Sequence, residues 1–144
     1  MRTESEAFPF VSVVIPVRNE ARTIEATLRA VAAQDVPEGR MEVLVLDGGS
    51  SDDTRALVER AAETLPVSVR LLDNRRGSVP AALNIALTAA RGDYLVRVDG
   101  HSRPSPGYVR RSVEGNLEHD AELAGGIEDG RPVLEPAAPA RGRE

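Results

Sequence analysis

The chain contains no cysteine, no lysine and no tryptophan. Without cysteine there are no disulfides, no thiolate nucleophile and no Cys-ligated zinc. All 18 basic side chains are arginine, which removes the phosphate-binding lysine of a P-loop, Schiff-base chemistry and the lysine of a response-regulator receiver. Aromatic residues make up 3% of the chain, so any core must be aliphatic. Positive charge is not in excess. The net charge of −5 excludes an electrostatic grip on nucleic acid or on an anionic membrane. No apolar run approaches the roughly 18 residues of a membrane-spanning helix. Residues 1–10 are acidic and lack a hydrophobic signal core, so a soluble, cytoplasmic protein is expected.

What is present is 144 residues, 41% of them hydrophobic, enough for one domain around a single core. Four aliphatic runs read as strands: Phe10–Val17, Glu42–Asp47, Val67–Leu72 and Asp93–Asp99. Several are near-continuous rather than alternating, which suits a parallel sheet covered on both faces. Helical spacing separates them. Asn19 is an N-cap candidate ahead of Ile24, Leu28, Val31 and Ala32. Ser50 or Ser51 can cap a second helix whose first turn carries Asp52 and Asp53, with Leu57, Ala61 and Leu65 as its buried stripe. Ser78 precedes a third helix with Pro80 in its first turn and Leu83, Leu87 and Ala90 on one face; Gly92 ends it. A fourth starts at Ser105-Pro106 and carries Val109, Val113 and Leu117. The βαβαβαβα order predicts a doubly wound α/β sheet with right-handed crossovers. A fifth strand over Glu122–Ile127 is interrupted by Gly125 and Gly126. From Asp129 the Pro-, Ala- and Arg-rich sequence has no periodicity and predicts a disordered tail.

In an open parallel sheet, ligands bind beyond the carboxyl ends of the strands. Here those ends are Pro16-Val17-Arg18-Asn19-Glu20, Asp47-Gly48-Gly49-Ser50, Asp73-Asn74-Arg75-Arg76 and Asp99-Gly100-His101. All are polar, whereas an opposite connection such as Ala33–Arg40 reads as an ordinary turn. The first turn lacks G-x-G-x-x-G, which disfavours a dinucleotide fold and leaves a metal ion as the natural phosphate holder. Asp99 and His101, one residue apart, project to the same side of an extended chain. Together they can ligate Mn²⁺ or Mg²⁺, or His101 can simply cap the turn before Pro104. Asp47 can accept a hydrogen bond from a ribose or base, or it can satisfy backbone donors of its own Gly-rich turn. Asn84 lies near the start of the third helix, facing the strand-three loop. Arg75 and Arg76 can reach phosphate oxygens or remain solvated. Arg97 shares the parity of Asp99 and requires a carboxylate partner if buried.

The ordered segments SVVIPVRNE, VLDGGSSDDT and GDYLVRVDGHS resemble the family 2 glycosyltransferases of the Rossmann-like GT-A fold, over roughly residues 10–127. The D-G-H triplet and the Leu83-Asn84 pair look most like bacterial exopolysaccharide transferases of the succinoglycan type. The resemblance implies inverting transfer of a sugar from a UDP- or GDP-type donor to a saccharide or lipid-linked acceptor, assisted by Mg²⁺ or Mn²⁺, in polysaccharide biosynthesis. It implies nucleotide-sugar binding by Pro16, Val17, Asn19, Glu20, Asp47, Asn84 and Asp99, with Asp99 and His101 as metal ligands. His101 stands where the second acid of D-x-D is usual, which lowers the site's charge by one and weakens its hold on a cation. Leu83 stands where many members carry arginine. The resemblance also implies a general base downstream of His101. Glu128 and Asp129 are acidic but lie in a Gly-rich exit, so the catalytic base is unassigned. The expectation is a nucleotide-sugar-binding domain over residues 10–128, at the inner face of the plasma membrane and with weak or no turnover alone. The alternative is a truncated, non-catalytic remnant.

Overall fold

The structure is a computed structural model and describes residues 3, 7–118, 127–128 and 131–134. In chain order the elements are β1 (Val11–Val17), α1 (Ile24–Ala32), β2 (Met41–Asp47), α2 (Thr54–Thr64), β3 (Ser68–Asp73), α3 (Val79–Ala89), β4 (Tyr94–Arg97), α4 (Tyr108–Glu118), β5 (Ile127–Glu128) and β6 (Arg131–Leu134). The sheet order is β3-β2-β1-β4-β6-β5. Strands β1 to β4 and β6 pair in parallel, and β5 is antiparallel to β6. The chain builds outward from β1 to β2 and β3, then crosses to the other side of β1 with β4. This reversal places the switch point between β1 and β4, where doubly wound sheets open a crevice.

The continuous aliphatic runs have a simple cause. Val11, Val13, Ile15 and Val17 of β1, with Val43 and Val45 of β2, face one buried layer containing Ile24, Leu28 and Val31 of α1, Val58 of α2 and Val109 and Val113 of α4. Val14, Leu44, Leu46 and Leu95 face the opposite layer, where α3 contributes Ala82, Ala86 and Leu87. Alternate residues therefore meet different helices, and neither face can be polar. The short alanine side chains bring α3 close to the strands it covers.

One charged side chain interrupts this interior at the amino end of the sheet. Glu42 is 1% exposed. Its carboxylate accepts from Ser12 Oγ at 2.7 Å, the Arg91 backbone N–H at 2.8 Å and Arg70 Nη2 at 3.2 Å. Gly92 donates to Ser12 Oγ at 2.9 Å. A Cβ on Gly92 would lie 2.7 Å from Ser12 N and 2.9 Å from Phe10 O, so this glycine is required by close backbone approach.

Several sequence expectations need correction. Asn19 is not the cap of α1: it adopts φ 53°, and Thr23 occupies the N-cap position. Asp53, not Ser50 or Ser51, precedes α2. The fully buried residues of α2 are Thr54 and Val58, with Leu57, Ala61 and Leu65 partly buried against the same core. On α3, Ser78 Oγ accepts from Ala81 N at 3.2 Å with Pro80 in the first turn, as its sequence predicts. Of the expected fifth strand over Glu122–Ile127, Ile127 falls in β5 and 122–126 lie outside the described residues. Within the segment expected to be disordered, residues 131–134 form β6, while 129–130 and 135–144 lie outside the described residues.

Candidate functional site

The carboxyl ends of β1 and β2 are bound together by side chains. Asn19, in the left-handed region, donates its backbone N–H to Ser50 Oγ at 2.8 Å and accepts at Oδ1 from Ser51 N at 2.8 Å. Next along the chain, Glu20 N donates to Thr54 Oγ1 at 2.8 Å and Ala21 N to Asp52 Oδ2 at 3.2 Å. Asn tolerates positive φ better than most residues and can satisfy a neighbouring turn at the same time. The Pro16-to-Glu20 turn is thereby held rigidly against the Gly-rich turn after β2. Val17 pairs in register with Asp47, and Gly48 N donates to Val17 O at 2.8 Å.

Asp47 itself points inward. Its side chain is 1% exposed. It accepts from Gly49 N at 3.2 Å, Ser50 N at 3.1 Å, Ser50 Oγ at 2.5 Å and Arg55 Nη1 at 3.1 Å. Burial acts to raise its pKa, but the Ser50, Arg55 and Gly49 hydrogen bonds outweigh that effect and hold it below the ordinary 3.8. Arg55 also reaches Asp73 Oδ1 at 2.8 Å, and the two carboxylates raise the arginine pKa. Asp47, Arg55 and Asp73 line an open pocket of about 240 Å³ together with Gly48 and Gly49. Of the two roles open to Asp47, organisation of its own turn is the one visible in these contacts.

Beyond β4 the chain continues level with β1. Val14 pairs with Arg97 and Val98 N donates to Val14 O at 2.9 Å. Asp99 and Gly100 therefore run beside the Pro16-Val17 end of β1, on the side opposite Asp47. Arg97, half-buried, meets Asp99 at 3.3 Å, the carboxylate pairing that the sequence suggested. His101 is 64% exposed, with Nδ1 3.6 Å from Glu20 Oε2. A Cβ on Gly100 would fall 2.8 Å from Val17 Cγ1 and 3.3 Å from Glu20 Cγ, so a larger middle residue in D-G-H would press on the Val17 and Glu20 side chains. Helix α1 and its N-cap clamp the same loop: the Thr23 hydroxyl donates to Gly100 O at 3.0 Å, and the single Thr27 hydroxyl hydrogen is shared between Ser102 O at 2.6 Å and Gly100 O at 3.1 Å.

The carboxylate and imidazole chemistry of Asp99 and His101 suits a divalent cation bound through mixed O and N donors. Both groups are accessible. Among the described residues no group of three or more His, Asp or Glu side chains gathers to hold a metal. Two such donors leave the rest of an ion's coordination shell to other ligands and water.

Asn84 lies elsewhere, in a cleft of about 610 Å³ lined also by Arg75, Arg76 and Ser78. This cleft shares Asp73, Asn74 and Arg75 with the smaller pocket, but Asp47, Asp99 and His101 are absent from its walls. Arg55 and the threonine clamp were missed by sequence reasoning. Thr27 had a signal, being a hydroxyl on the apolar stripe of α1. Arg55 had none, since no local rule joins positions 47, 55 and 73.

The profile of the family described as Glycosyl transferase family 2 matches residues 12–132. The chain is 34% identical over 123 residues to glycosyltransferase AglE of Haloferax volcanii, covering 85% of this chain and 40% of that protein. It is 38% identical over 112 residues to the succinoglycan biosynthesis protein ExoA of Rhizobium meliloti, covering 76% and 33%. Among solved structures, the mannosyltransferase PcManGT of Pyrobaculum calidifontis, in complex with GDP-Man and Mn²⁺, superposes with a TM-score of 0.69 at 36% identity, over 75% of this chain and 32% of that one. TarS of S. aureus in complex with UDP gives 0.65 at 29% identity, over 77% and 33%. The chain thus spans 40% or less of these relatives. Its parallel sheet, polar carboxyl edge and 12–132 match identify it as a member of glycosyl transferase family 2 with the GT-A fold.

Proposed function

We propose that this chain supplies the nucleotide-sugar-binding part of an inverting, metal-assisted glycosyltransferase of polysaccharide biosynthesis. The donor is of UDP or GDP type, and the acceptor is a saccharide or lipid-linked hydroxyl presented at the cytoplasmic face of the membrane. The convergence of the β2, β1 and β4 carboxyl ends carries this reading. Asp47 and Asp99 flank the end of β1, so two strand spacings of about 4.8 Å separate their strands. A nucleoside diphosphate can bridge such a gap, with its base at the β2 end and its phosphates at the β4 end.

Within this reading, Pro16, Val17 and Asn19 form the rigid floor under the nucleoside, and Asp47 anchors the pocket wall. Asp99 and His101 hold a Mg²⁺ or Mn²⁺ ion. When bound, that ion neutralises charge on the leaving diphosphate. Glu20, expected to bind the nucleotide sugar, lies beside His101 and would do so from the metal end of the site. Asn84 serves the donor only from the outer cleft it lines with Arg75 and Arg76. The general base is assigned to no residue of the chain.

The similar folds of PcManGT bound to GDP-Man and Mn²⁺ and of TarS bound to UDP support the nucleotide class. Isothermal titration of the chain with UDP and GDP, with and without Mn²⁺, tests it. Metal-dependent binding of at least one nucleotide is expected, abolished by Asp99→Ala. Failure to bind either, with metal present, rejects the proposal.

A further inference from the structure

The Asp99-Gly100-His101 triplet offers an exposed imidazole to a cation, and the group that faces this ring comes from another part of the chain. Nδ1 of His101 lies 3.6 Å from Oε2 of Glu20, whose side chain is 25% exposed. The Glu20 backbone is fixed on two sides. Its N–H donates to Thr54 Oγ1 at the start of α2 at 2.8 Å. Its carbonyl accepts from Thr23 N at 3.0 Å and Ile24 N at 2.9 Å, at the start of α1. The side chain then runs along the triplet itself: a Cβ on Gly100 would fall 3.3 Å from Glu20 Cγ and 3.5 Å from its Cδ. The absence of a side chain at the middle of D-G-H is what lets the Glu20 carboxylate come up beside the imidazole.

A neutral imidazole carries its N–H on one nitrogen and its lone pair on the other, and only the lone pair binds a metal. An unconstrained ring in water favours the N–H on Nε2, with the lone pair on Nδ1. A carboxylate only accepts, so one placed against Nδ1 favours the opposite arrangement. We propose that Glu20 is a positioning residue for the cation: it accepts the Nδ1–H of His101 and thereby presents the Nε2 lone pair to an ion shared with Asp99. At 3.6 Å the pair is a close contact rather than a hydrogen bond, and contacts of this kind tighten when a site is filled. A carboxylate behind a ligating imidazole fixes its tautomer and strengthens it as a donor. It also supplies, one layer out, the negative charge that D-G-H lacks beside D-x-D. This inference rests on the metal site described under Proposed function.

Two-dimensional ¹H–¹⁵N NMR of the metal-free full chain reads the tautomer directly. The chain has two histidines, and His119→Gln assigns their signals. At about pH 8.5, where a free imidazole is neutral, His101 is expected mainly in the Nδ1–H form, and in Glu20→Ala mainly in the Nε2–H form. Calorimetric titration with UDP and GDP is the second readout. There Glu20→Ala is expected to require about 10–100-fold more Mn²⁺ for the same nucleotide binding, and Glu20→Gln, which keeps the shape and loses the charge, to raise the requirement as well. Melting temperatures close to that of the unaltered chain establish that the variants fold. An Nε2–H tautomer in the unaltered chain, a tautomer that Glu20→Ala does not change, or an unmoved Mn²⁺ requirement in both variants overturns the inference and leaves the metal site standing. Absence of metal-dependent nucleotide binding by the unaltered chain overturns both.

Discussion

At the scale of single residues, Asp47 illustrates how a polar group at a strand end serves the fold before any ligand. Its folded pKa lies below the ordinary 3.8. The unfolded chain therefore binds more protons as pH falls through this range, and stability rises with pH there. The contribution is complete above the unfolded value and is lost as pH drops through the folded one. Urea unfolding is expected to give constant stability from pH 7 to about 5 and a decline below about 4. Asp47→Asn should flatten part of that decline and cost about 1–3 kcal/mol at pH 7 by unpairing buried donors. His101 permits a second test at this scale. Restoring a carboxylate with His101→Asp adds one negative charge beside Asp99, so nucleotide binding should require less Mn²⁺ in a metal titration. An unchanged Mn²⁺ requirement would remove His101 from the metal site.

Among elements, glycines and threonines at the joins between strands and helices fix how those elements pack. The α3–β4 turn passes so close to the start of β1 that the Gly92 Cβ position is blocked by backbone atoms of Phe10 and Ser12. Gly92→Ala is expected to destabilise the fold by about 1–3 kcal/mol or more, since backbone has to shift; thermal or urea unfolding measures it. Thr27 fastens α1 to the loop after β4 through Gly100 O and Ser102 O. Thr27→Val keeps the shape and removes the donor. It should cost about 1–3 kcal/mol and weaken Mn²⁺-dependent nucleotide binding, read in the same calorimetric titration. A loss of stability with binding unchanged would show that the clamp does not position Asp99 and His101. Most helix stripes were legible in the sequence because 3.6-residue spacing is a local property. The cap of α1 was not: Asn19 has the right chemistry for a cap, but its amide oxygen faces Ser51 across the β1–β2 edge, a contact that no window of sequence contains.

For the whole molecule, the sheet collects residues from four strand ends along one edge, and a nucleotide lying across them would tie α1, α2 and the loop after β4 together. Saturating UDP or GDP with Mn²⁺ should therefore raise the melting temperature. At a nucleotide concentration of 100 times Kd the added stability is about 2.7 kcal/mol. Chelation with EDTA should abolish the shift, whereas a shift that survives EDTA would show binding without the ion. The buried Glu42 node lies at the other end of the sheet. Ser12, Arg70 and the Arg91 N–H surround its carboxylate, so its removal should lower stability while leaving the Mn²⁺ requirement of nucleotide binding intact.

Residue order already contained the class of fold, the parallel sheet, the polar carboxyl edge and the family. Aliphatic runs covered on two faces look continuous in any linear reading, and motif order survives without knowledge of contacts. The partners of each charge were a different matter. Asp47 meets Arg55, Glu42 meets Arg70, and Glu20 lies beside His101 across the β1–β4 crevice. These pairings follow from strand register and from which helix covers which face. A carboxylate free to touch a ligand and one spent on its own turn have the same neighbours in sequence, and only the packed chain tells them apart.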